Sequence, residues 1–405
     1  SSGGADYLGW ANGGDTLFWS IGPVLESASI PALFANAPKA EGDKTPGFTP
    51  PTTGIPLQVT VQKAKPAGTT VITGARVLTM RPGLAADDAG VIENGLIVIE
   101  GDRITGVYDA TTVKIKLPGD AKMIDASGKT IMPGLVDAHA HGAYGVGDLI
   151  PQQNWALIQD LAMGVTTVHN PSSQASTVFA AAERQRAGLT TGPRIFSTGE
   201  IIYGAKAPGV YARIDSYEDA LAHVRRIKAQ GGISVKNYNQ PRREQRQMVV
   251  RAAAAENMLV VAEGGSLFGM DMNIAADGNS TLEHNIPADV FYEDVLQFFG
   301  QSNTNYTPTL VVTYGGLAGD PYWRQATNVW ENPLMVHTPP KMLLAETARR
   351  TKAPDWAFVD DNNAREARKL SARGVKVSIG AHGQQAGVGA HWELWSFVRG
   401  GMSPV

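Results

Sequence analysis

The sequence predicts an α/β protein whose largest part is a (β/α)₈ barrel, and three observations lead to this prediction. From residue 134 onward, short apolar strand patterns alternate with helix-length segments. Eight such strand patterns fit into about 250 residues, which is the usual length of this barrel. The competing architecture, a doubly wound sheet, normally carries a glycine-rich dinucleotide fingerprint, and the sequence lacks one.

The eight strand candidates are short apolar runs bounded by turn residues. They are 134–139, 165–170, 193–199, 232–238, 258–263, 280–285, 306–312 and 375–381. Helical patterns lie between them, most clearly at 216–230 and 241–257. Ser216 and Gly231 are typical start and stop signals for the first helix, and Pro241 suits the first turn of the second.

The chain before the barrel has a different character and divides into two parts. The first begins with two short strands around the turn at 12–15 and continues in a Pro-, Gly- and Thr-rich linker at 36–56. The second shows several short strands, starting at 57–63, with a hairpin signal at Gly101 and Asp102. The predicted units are therefore 1–56, an all-β unit at 57–133 and the barrel at 134–405.

Composition narrows the class of protein. Hydrophobic residues make up 43% of the chain and charged residues 18%, which excludes a disordered or fibrous protein. The net charge of −3, without a basic stripe, argues against nucleic acid as a partner. No apolar run reaches the roughly 18 residues that span a bilayer, and residues 1–20 are no signal peptide. Because the chain has no cysteine, its polar chemistry falls to His, Asp, Glu, Lys and hydroxyl groups.

Metal-capable side chains stand at the ends of five of the eight predicted strands, where barrel active sites lie. They are His139 and His141 after the first strand, Lys236 at the fourth, Glu263 at the fifth, His284 at the sixth and His382 at the eighth. Taken singly, each has a structural alternative, such as a surface histidine or an interior lysine paired with a carboxylate. Their common position at one rim favours a shared site.

These residues resemble the amidohydrolase superfamily, in the branch related to imidazolonepropionases and prolidases. The segments GLIVIEGDRITGV and IDASGKTIMPGLVDAHAH are similar to that family's sandwich strands and first barrel strand. The family's His-x-His corresponds to His139 and His141, its carboxylated lysine to Lys236 and its strand-six histidine to His284. The resemblance, which covers residues 70–400, implies a TIM barrel with a partial N-terminal β-sandwich.

Two positions depart from the family pattern. Glu263 stands where the family usually has histidine at strand five, and His382 stands where it usually has aspartate at strand eight. The two replacements look reciprocal, so the formal charge offered to a metal pair is unchanged. Two alternatives for the general base stay open: His382 remains free and acts as the base, or Glu263 binds metal and shares in proton transfer.

The resemblance implies a metal-dependent hydrolase of amide or cyclic amide bonds. One or two Zn²⁺ ions, or another divalent metal, would be held by the six residues at the strand ends, with a carbamate on Lys236. A metal-activated hydroxide would attack the carbonyl, and Asp137 and Asn285 are candidate acceptors for the outer imidazole nitrogens. The substrate would be a small-molecule amide or peptide, and a homo-oligomer is compatible with the sequence.

Alternative functions remain open at this stage. One is a dipeptidase or an ester or lactone hydrolase with the same metal site. Another is a non-catalytic binding module, in which the exchanged residues Glu263 and His382 reflect the loss of catalytic activity. A third is a Schiff-base lyase that uses Lys236 without metal.

The first residues carry a second resemblance. Residues 7–22 are similar to the final blade of a β-propeller, as in amidohydrolases fused to a Tol-type periplasmic propeller. We therefore expect a fragment of such a fusion, in the periplasm or otherwise exported, with the cytoplasm as the alternative. His223, which lies beside two arginines, is expected on the surface, and aromatic residues in the connection 313–359 are expected near the substrate.

Overall fold

A computed structural model describes most of the chain. The described residues are 5–35, 54–81, 90–146, 149–203, 214–239, 242–265, 267–347 and 352–404. The predicted linker at 36–56 lies outside them except for its last three residues, and Pro241 lies outside them as well. Strands alternate with helices through the larger part of the described chain, so the predicted α/β class is confirmed.

The first strands form a four-stranded antiparallel sheet in sequence order. Its strands are β1 (Asp6–Ala11), β2 (Thr16–Ile21), β3 (Val24–Ser29) and β4 (Ile55–Pro56), and helix α1 (Ile30–Phe34) follows β3. The turn after β1 contains Gly13 at φ +69°, a left-handed backbone that glycine adopts without strain. Trp19 is buried and donates its indole N–H to Glu26 at 2.9 Å. The two predicted strands are thus joined by two that the sequence did not suggest.

A second, mixed sheet has the strand order β7-β6-β5-β8, with β9 also paired to β5. Its strands are β5 (Thr69–Leu78), β6 (Val91–Glu100), β7 (Arg103–Asp109), β8 (Lys122–Asp125) and β9 (Thr130–Ile131). The antiparallel pairing of β6 with β7 extends to Glu100 and Arg103. Gly101 and Asp102 therefore form a two-residue hairpin turn, at the place where the sequence predicts one.

Residues 57–63 do not form the predicted strand. Leu57, Val59 and Val61 alternate as strand residues do, yet they are 53%, 84% and 52% exposed. The neighbouring backbone N–H groups of Leu57 and Ala64 donate to carbonyls in a turn and at the end of a helix. Alternation indicates a strand only where a second strand lies alongside and pairs with its main chain. Here the main-chain partners of the neighbouring residues lie in a turn and at a helix end instead of in a strand.

The remaining strands are parallel and form two further sheets, ordered β10-β11-β12 and β13-β14-β15-β16-β17. They are β10 (Leu135–Asp137), β11 (Val165–Asn170), β12 (Arg194–Ser197), β13 (Ile201–Ile202), β14 (Ser234–Asn237), β15 (Leu259–Glu263), β16 (Thr281–Glu283) and β17 (Asn305–Thr307). The predicted third strand is shorter in the structure, where β12 pairs with β11, and the chain then forms β13, which pairs with β14. The chain passes from the first parallel sheet to the second between β12 and β13.

The eighth predicted strand, 375–381, is present only as a single bridge to β17. The N–H of Tyr306 in β17 donates to the carbonyl of Lys376 at 2.9 Å, and the N–H of Ala138 donates to Ile379 at 3.0 Å. The segment therefore bonds to the last parallel strand on one side and to the end of the first on the other. The next two N–H groups donate to side-chain carboxylates instead of main-chain carbonyls, which shortens the strand.

Helices follow the parallel strands. They are α2 (Trp155–Ala162), α3 (Ala175–Ala187), α4 (Tyr217–Gln230), α5 (Arg243–Ala255), α6 (Phe268–Ala276), α7 (Glu293–Gln301), α8 (Gly319–Ala326), α9 (Pro340–Thr347), α10 (Asp360–Ser371) and α11 (Val388–Arg399). Helices α2 to α6 pack against the parallel strands. Helix α4 begins at a capping box of Ser216 and Asp219 and ends at Gly231, as its sequence predicts. Its Val224 and Ile227 are fully buried in a cluster with β14, and each contributes about 1.5–3 kcal/mol by burial.

Two of these helices, α8 and α9, lie inside the long connection 313–359, so this connection is partly helical. No helix among the described residues is long and apolar enough to cross a membrane.

Candidate metal centre at the ends of the parallel strands

The six metal-capable residues predicted from the sequence come together in the structure. His139 and His141 follow β10, Lys236 lies in β14 and Glu263 ends β15. His284 directly follows β16, and His382 follows the segment that bonds to β17 and to Ala138. The carboxyl ends of parallel strands meet at one edge, and this common direction explains why residues 243 positions apart in the chain are neighbours.

The potential ligand atoms fall into two groups that share His139. The first group is His139, His141 and His382, with the two Nε2 atoms of His139 and His141 3.1 Å apart. The second is His139, Glu263 and His284, with Oε1 of Glu263 3.1 Å from Nε2 of His284. Within each group all ligand atoms lie within 4.8 Å of one another, which is close enough for a single ion to contact three of them.

Lys236 contacts the second group through Glu263. Its Nζ lies 2.5 Å from Oε2 of Glu263, and the lysine side chain is 1% exposed. A buried lysine needs a compensating charge, and Glu263 supplies it. The two oxygens of Glu263 are thus divided between Lys236 and His284.

The protonation states suit metal binding, which requires neutral imidazole and ionised carboxylate. Burial and the neighbouring Lys236 lower the pKa of His141 to about 4. Burial and the neighbouring His141 do the same for His382, whose pKa is also about 4. Burial by itself would raise the pKa of Glu263, but Lys236 and His284 outweigh it and lower this pKa to about 2. This nitrogen and oxygen donor set fits a divalent ion such as zinc.

The outer nitrogens of the imidazoles have partners that the sequence did not reveal. Nδ1 of His141 lies 3.3 Å from Oδ1 of Asn170, and Nδ1 of His139 lies 3.2 Å from Oγ1 of Thr309. Oε2 of Glu283 is also 2.9 Å from Nδ1 of His139, although it lies outside hydrogen-bonding geometry. Asn170 and Glu283 end strands β11 and β16, so a survey of all polar strand ends would have found these two residues.

The two predicted acceptors have other roles. Asp137 accepts backbone N–H groups from His139 and Ala381 at 3.2 and 3.1 Å. Asn285 exchanges two hydrogen bonds with the backbone of Tyr314, at 2.7 and 3.2 Å. The prediction that these side chains accept hydrogen bonds from imidazole nitrogens is therefore wrong in this structure. The carboxyl group of Asp137 and the carboxamide of Asn285 form hydrogen bonds with main-chain groups instead.

Three residues of this region adopt a left-handed backbone. They are His284 at φ +69°, Thr309 at φ +53° and His382 at φ +60°. Such conformations cost free energy for residues with a Cβ and concentrate at functional sites. All three follow parallel strands or the segment beside them, so the strain surrounds the candidate ligands.

Other histidines lie outside the two ligand groups. His169 contacts the carbonyl of Ala138 at 3.2 Å and Oγ of Ser234 at 2.8 Å, as a packed residue does. Nε2 of His391 contacts the carbonyl of Met163 at 2.7 Å. His223 is only 5% exposed, so the prediction of a surface residue is wrong. It lies on the face of α4 that packs against neighbouring elements, and the adjacent arginines obscured that face.

A cavity of about 360 Å³ opens onto the ligands. Tyr238, Tyr314, Val312 and Ser172 line it together with five of the six candidate metal residues. Of the aromatic residues in 313–359, Tyr314 lines this cavity. Trp356, by contrast, is 85% exposed and belongs to another groove.

No protein-family profile matches the chain. It is 45% identical over 73 residues to a 5'-deoxyadenosine deaminase of Methanosarcina mazei, which covers 18% of this chain and 15% of that protein. It is 45% identical over 60 residues to an imidazolonepropionase of Fusobacterium nucleatum, covering 15% and 14%. It is 32% identical over 156 residues to a 5-methylthioadenosine/S-adenosylhomocysteine deaminase of Haloquadratum walsbyi, covering 36% and 34%. The matches thus span about a third or less of these relatives.

Solved structures resemble the chain over most of its length. A Xaa-Pro dipeptidase with bound methionine has a TM-score of 0.57 at 18% identity, covering 83% of this chain and 84% of that one. A prolidase complexed with N-methylphosphonate-L-proline has a TM-score of 0.54 at 19% identity, covering 81% and 85%. Phenylurea hydrolase B has a TM-score of 0.56 at 16% identity, covering 83% and 84%. At these identities the likeness concerns the fold.

Fold and site together define an α/β protein with a histidine-rich candidate metal centre at the ends of its parallel strands. The predicted resemblance to the amidohydrolase superfamily is confirmed, because the curated relatives are an imidazolonepropionase and deaminases of that superfamily and the structural neighbours are prolidase-like amidohydrolases. These relatives and neighbours are hydrolytic enzymes that act on carbon–nitrogen bonds.

Proposed function

We propose that this chain is a metal-dependent hydrolase of carbon–nitrogen bonds, acting on an amide or cyclic amide. The observation that carries the proposal is the pair of ligand groups around His139, which opens onto a cavity large enough for a small substrate. Neutral imidazoles beside an ionised carboxylate are the protonation states that such chemistry requires. The hydrolases among the relatives support the same class of reaction.

The proposal includes the architecture around the site. We take the parallel strands and segment 376–379 to be a (β/α)₈ barrel within 134–405, the mixed sheet to be part of a β-sandwich at 57–133, and the antiparallel sheet within 1–56 to be a propeller-blade remnant. Support for the barrel comes from the main-chain bonds of this segment to β17 and to Ala138. The resemblance of the first residues to a periplasmic propeller supports an exported location.

The residues proposed to hold the metal are the six that converge at the strand ends. They are His139, His141, Lys236, Glu263, His284 and His382. Lys236 would contribute as a carbamate, which adds a second carboxylate beside Glu263. Zinc, when bound there, lowers the pKa of water and polarises a carbonyl.

The chain's own residues then position the substrate and move protons. Tyr238, Tyr314 and Val312 line the cavity and would hold the part of an amide or peptide that does not react. Glu263 is ionised at neutral pH, so it can accept a proton on a carboxylate oxygen and return it to the leaving nitrogen. His382 is the second candidate for this role.

The test is the metal content of protein purified without chelator, measured by mass spectrometry. We expect about one to two equivalents of zinc per chain, and loss of this zinc in the double variant His139→Ala/His141→Ala. His337→Ala, in an exposed segment, is the matched control and keeps the metal. Folded wild-type protein that binds no metal after zinc and bicarbonate are supplied would contradict the proposal. A metal-loaded protein is then assayed against amides and dipeptides.

A further inference from the structure

Thr309 combines features that packing does not require. It is fully buried, and its backbone has φ +53°, a conformation that is a genuine outlier for a β-branched residue. Its hydroxyl lies 3.2 Å from Nδ1 of His139, although 170 residues separate the two in the chain. A buried strained residue that contacts a candidate ligand is a reason to look for a function.

The direction of the hydrogen bonds around Thr309 determines the tautomer of His139. Oγ1 of Thr309 donates its only hydrogen to the carbonyl of Thr307, at 3.1 Å. Toward His139 the same oxygen can therefore only accept, so Nδ1 of His139 must carry a hydrogen. Nε2 of His139 then keeps its lone pair, and this is the atom 3.1 Å from Nε2 of His141.

Glu283 places a carboxyl oxygen next to the same ring nitrogen. Its Oε2 is 2.9 Å from Nδ1 of His139, and its Oε1 accepts the hydroxyl of Thr281 at 2.6 Å. The carboxylate lies outside hydrogen-bonding geometry toward the ring, whereas the hydroxyl of Thr309 lies within it. An oxygen this close to Nδ1 would repel a lone pair on that nitrogen, so Glu283 also favours hydrogen on Nδ1, and Thr309 defines the direction of this hydrogen.

The backbone of Gly380 packs closely against the base of the His139 side chain and against the two threonines. A Cβ added to Gly380 would lie 2.9 Å from Cβ of His139, 2.8 Å from Cγ2 of Thr307 and 3.0 Å from Oγ1 of Thr309. Distances this short show that the backbone of Gly380, His139 and the two threonines are in close contact.

We infer that Thr309 is a positioning residue, which fixes the tautomer and orientation of His139 so that Nε2, the atom next to Nε2 of His141, keeps its lone pair for the metal. The inference rests on the proposed metal centre and names a residue outside its ligands. Partners of this kind orient metal-binding histidines, and losing one weakens metal affinity about 10- to 100-fold.

The experiment compares Thr309→Val with Thr309→Ser by zinc competition against a chromophoric chelator and by the visible spectrum of the cobalt-substituted protein. Valine keeps the branched shape and the backbone strain without the hydroxyl, whereas serine keeps the hydroxyl. We expect zinc affinity about 10- to 100-fold weaker with an altered cobalt spectrum in Thr309→Val, and affinity near wild type in Thr309→Ser. Wild-type affinity in Thr309→Val, or equal losses in both variants, would overturn the inference.

A measurement on the unchanged chain covers the case in which Thr309→Val does not fold. Nitrogen-15 NMR of histidine-labelled, zinc-loaded wild-type protein reports which ring nitrogen carries hydrogen, with His139 assigned from His139→Ala. We expect hydrogen on Nδ1 and metal on Nε2, and metal on Nδ1 would overturn the inference alone. A wild-type protein that takes up no zinc overturns the proposed function and this inference together.

Discussion

Glu263 and His382 serve different ligand groups around His139. Glu263 contacts Lys236 and His284, whereas the ring of His382 lies 4.9 Å from that of His139 and 4.6 Å from that of His141. The carboxylate of Glu263 therefore stands between Lys236 and His284, and the imidazole of His382 stands among other imidazoles. Such surroundings favour Glu263 as the ionised group that handles protons and His382 as a neutral ligand.

The two residues are separated by Glu263→Gln and His382→Asn. Glu263→Gln removes the proton acceptor, so we expect amide hydrolysis to fall about 10²- to 10⁴-fold even with excess zinc. His382→Asn removes one imidazole, so we expect zinc to dissociate more readily and added zinc to restore part of the activity. Both are measured as kcat/KM across a zinc titration.

His337→Asn supplies the control for the histidine substitution, because that residue is exposed and lies outside both ligand groups. It should leave zinc content and hydrolysis unchanged. If His382→Asn instead keeps its full zinc complement and loses hydrolysis, the general base is His382 and the preference for Glu263 is wrong.

At the scale of residues, the sequence predicted the six converging side chains and missed the polar groups that contact the outer nitrogens of the imidazoles. Lys236 and Glu263 could be found because each stands at the end of an apolar run, where parallel strands bring polar side chains together. Thr309 could not be found in this way, since its contact with His139 depends on a left-handed turn after β17. Local pattern does not encode a contact of that kind.

At the scale of elements, sequence patterns succeeded where the local chain supplies all the bonds. The α4 start at Ser216 and the β6–β7 hairpin are formed by residues within a few positions of one another. Segments 57–63 and 375–381 carry strand-like patterns as well, but a strand also needs main-chain partners from distant parts of the chain. For 375–381 these partners are confined to a single bridge to β17 and one bond from Ala138.

The capping box of α4 provides a test of local stability. Oγ of Ser216 accepts the N–H of Asp219 at 3.2 Å, and Oδ2 of Asp219 accepts the N–H of Ser216 at 3.2 Å. Ser216→Ala removes one of these bonds, and we expect a loss of about 0.5–2 kcal/mol of stability. The loss is read from the thermal midpoint and from faster amide exchange in the first turn of α4.

Ser216→Thr keeps the hydroxyl and is the matched control, with stability expected near wild type. Equal destabilisation by alanine and threonine would show that the serine contributes through packing, and no change in the alanine variant would show that the cap is dispensable.

At the scale of the molecule, the antiparallel sheet packs directly against the helices around the parallel strands. Gly22 has φ +55°, and a Cβ there would lie 2.8 Å from the carbonyl of Ala229 at the end of α4. Asp6 accepts a hydrogen bond from Gln230 at 3.1 Å, across 224 residues of chain. The sequence predicted these parts as separate units. A contact between residues so far apart in the chain produces no local sequence pattern, apart from the glycine that the close approach requires.

Buried carboxyl groups give the molecule a further property, a stability that depends on pH. Asp271 in α6 is fully buried, and its two oxygens each lie 3.1 Å from the N–H of Gly265. Burial raises the pKa of Asp271 from its ordinary value of 3.8 to about 7, against the lowering effect of the Gly265 N–H. The folded protein therefore binds more protons at this group than the unfolded chain does between these two values.

Asp271→Asn tests this consequence. Because the folded pKa is raised, the contribution of Asp271 to stability is fully present below about pH 4 and is lost as pH rises to about 7. The difference between the ordinary pKa of 3.8 and the folded value of about 7 corresponds to about 4 kcal/mol, at most, in the free energy of unfolding. Asparagine does not titrate and keeps an oxygen for the Gly265 N–H, so the zinc-free variant should match the wild type near pH 4 and exceed its stability at pH 8.

Asp120→Asn, at an exposed position, is the control and should leave the difference in stability between the two pH values as in the wild type. A gap between Asp271→Asn and wild type that is the same at both pH values would mean that Asp271 is already ionised in the folded protein.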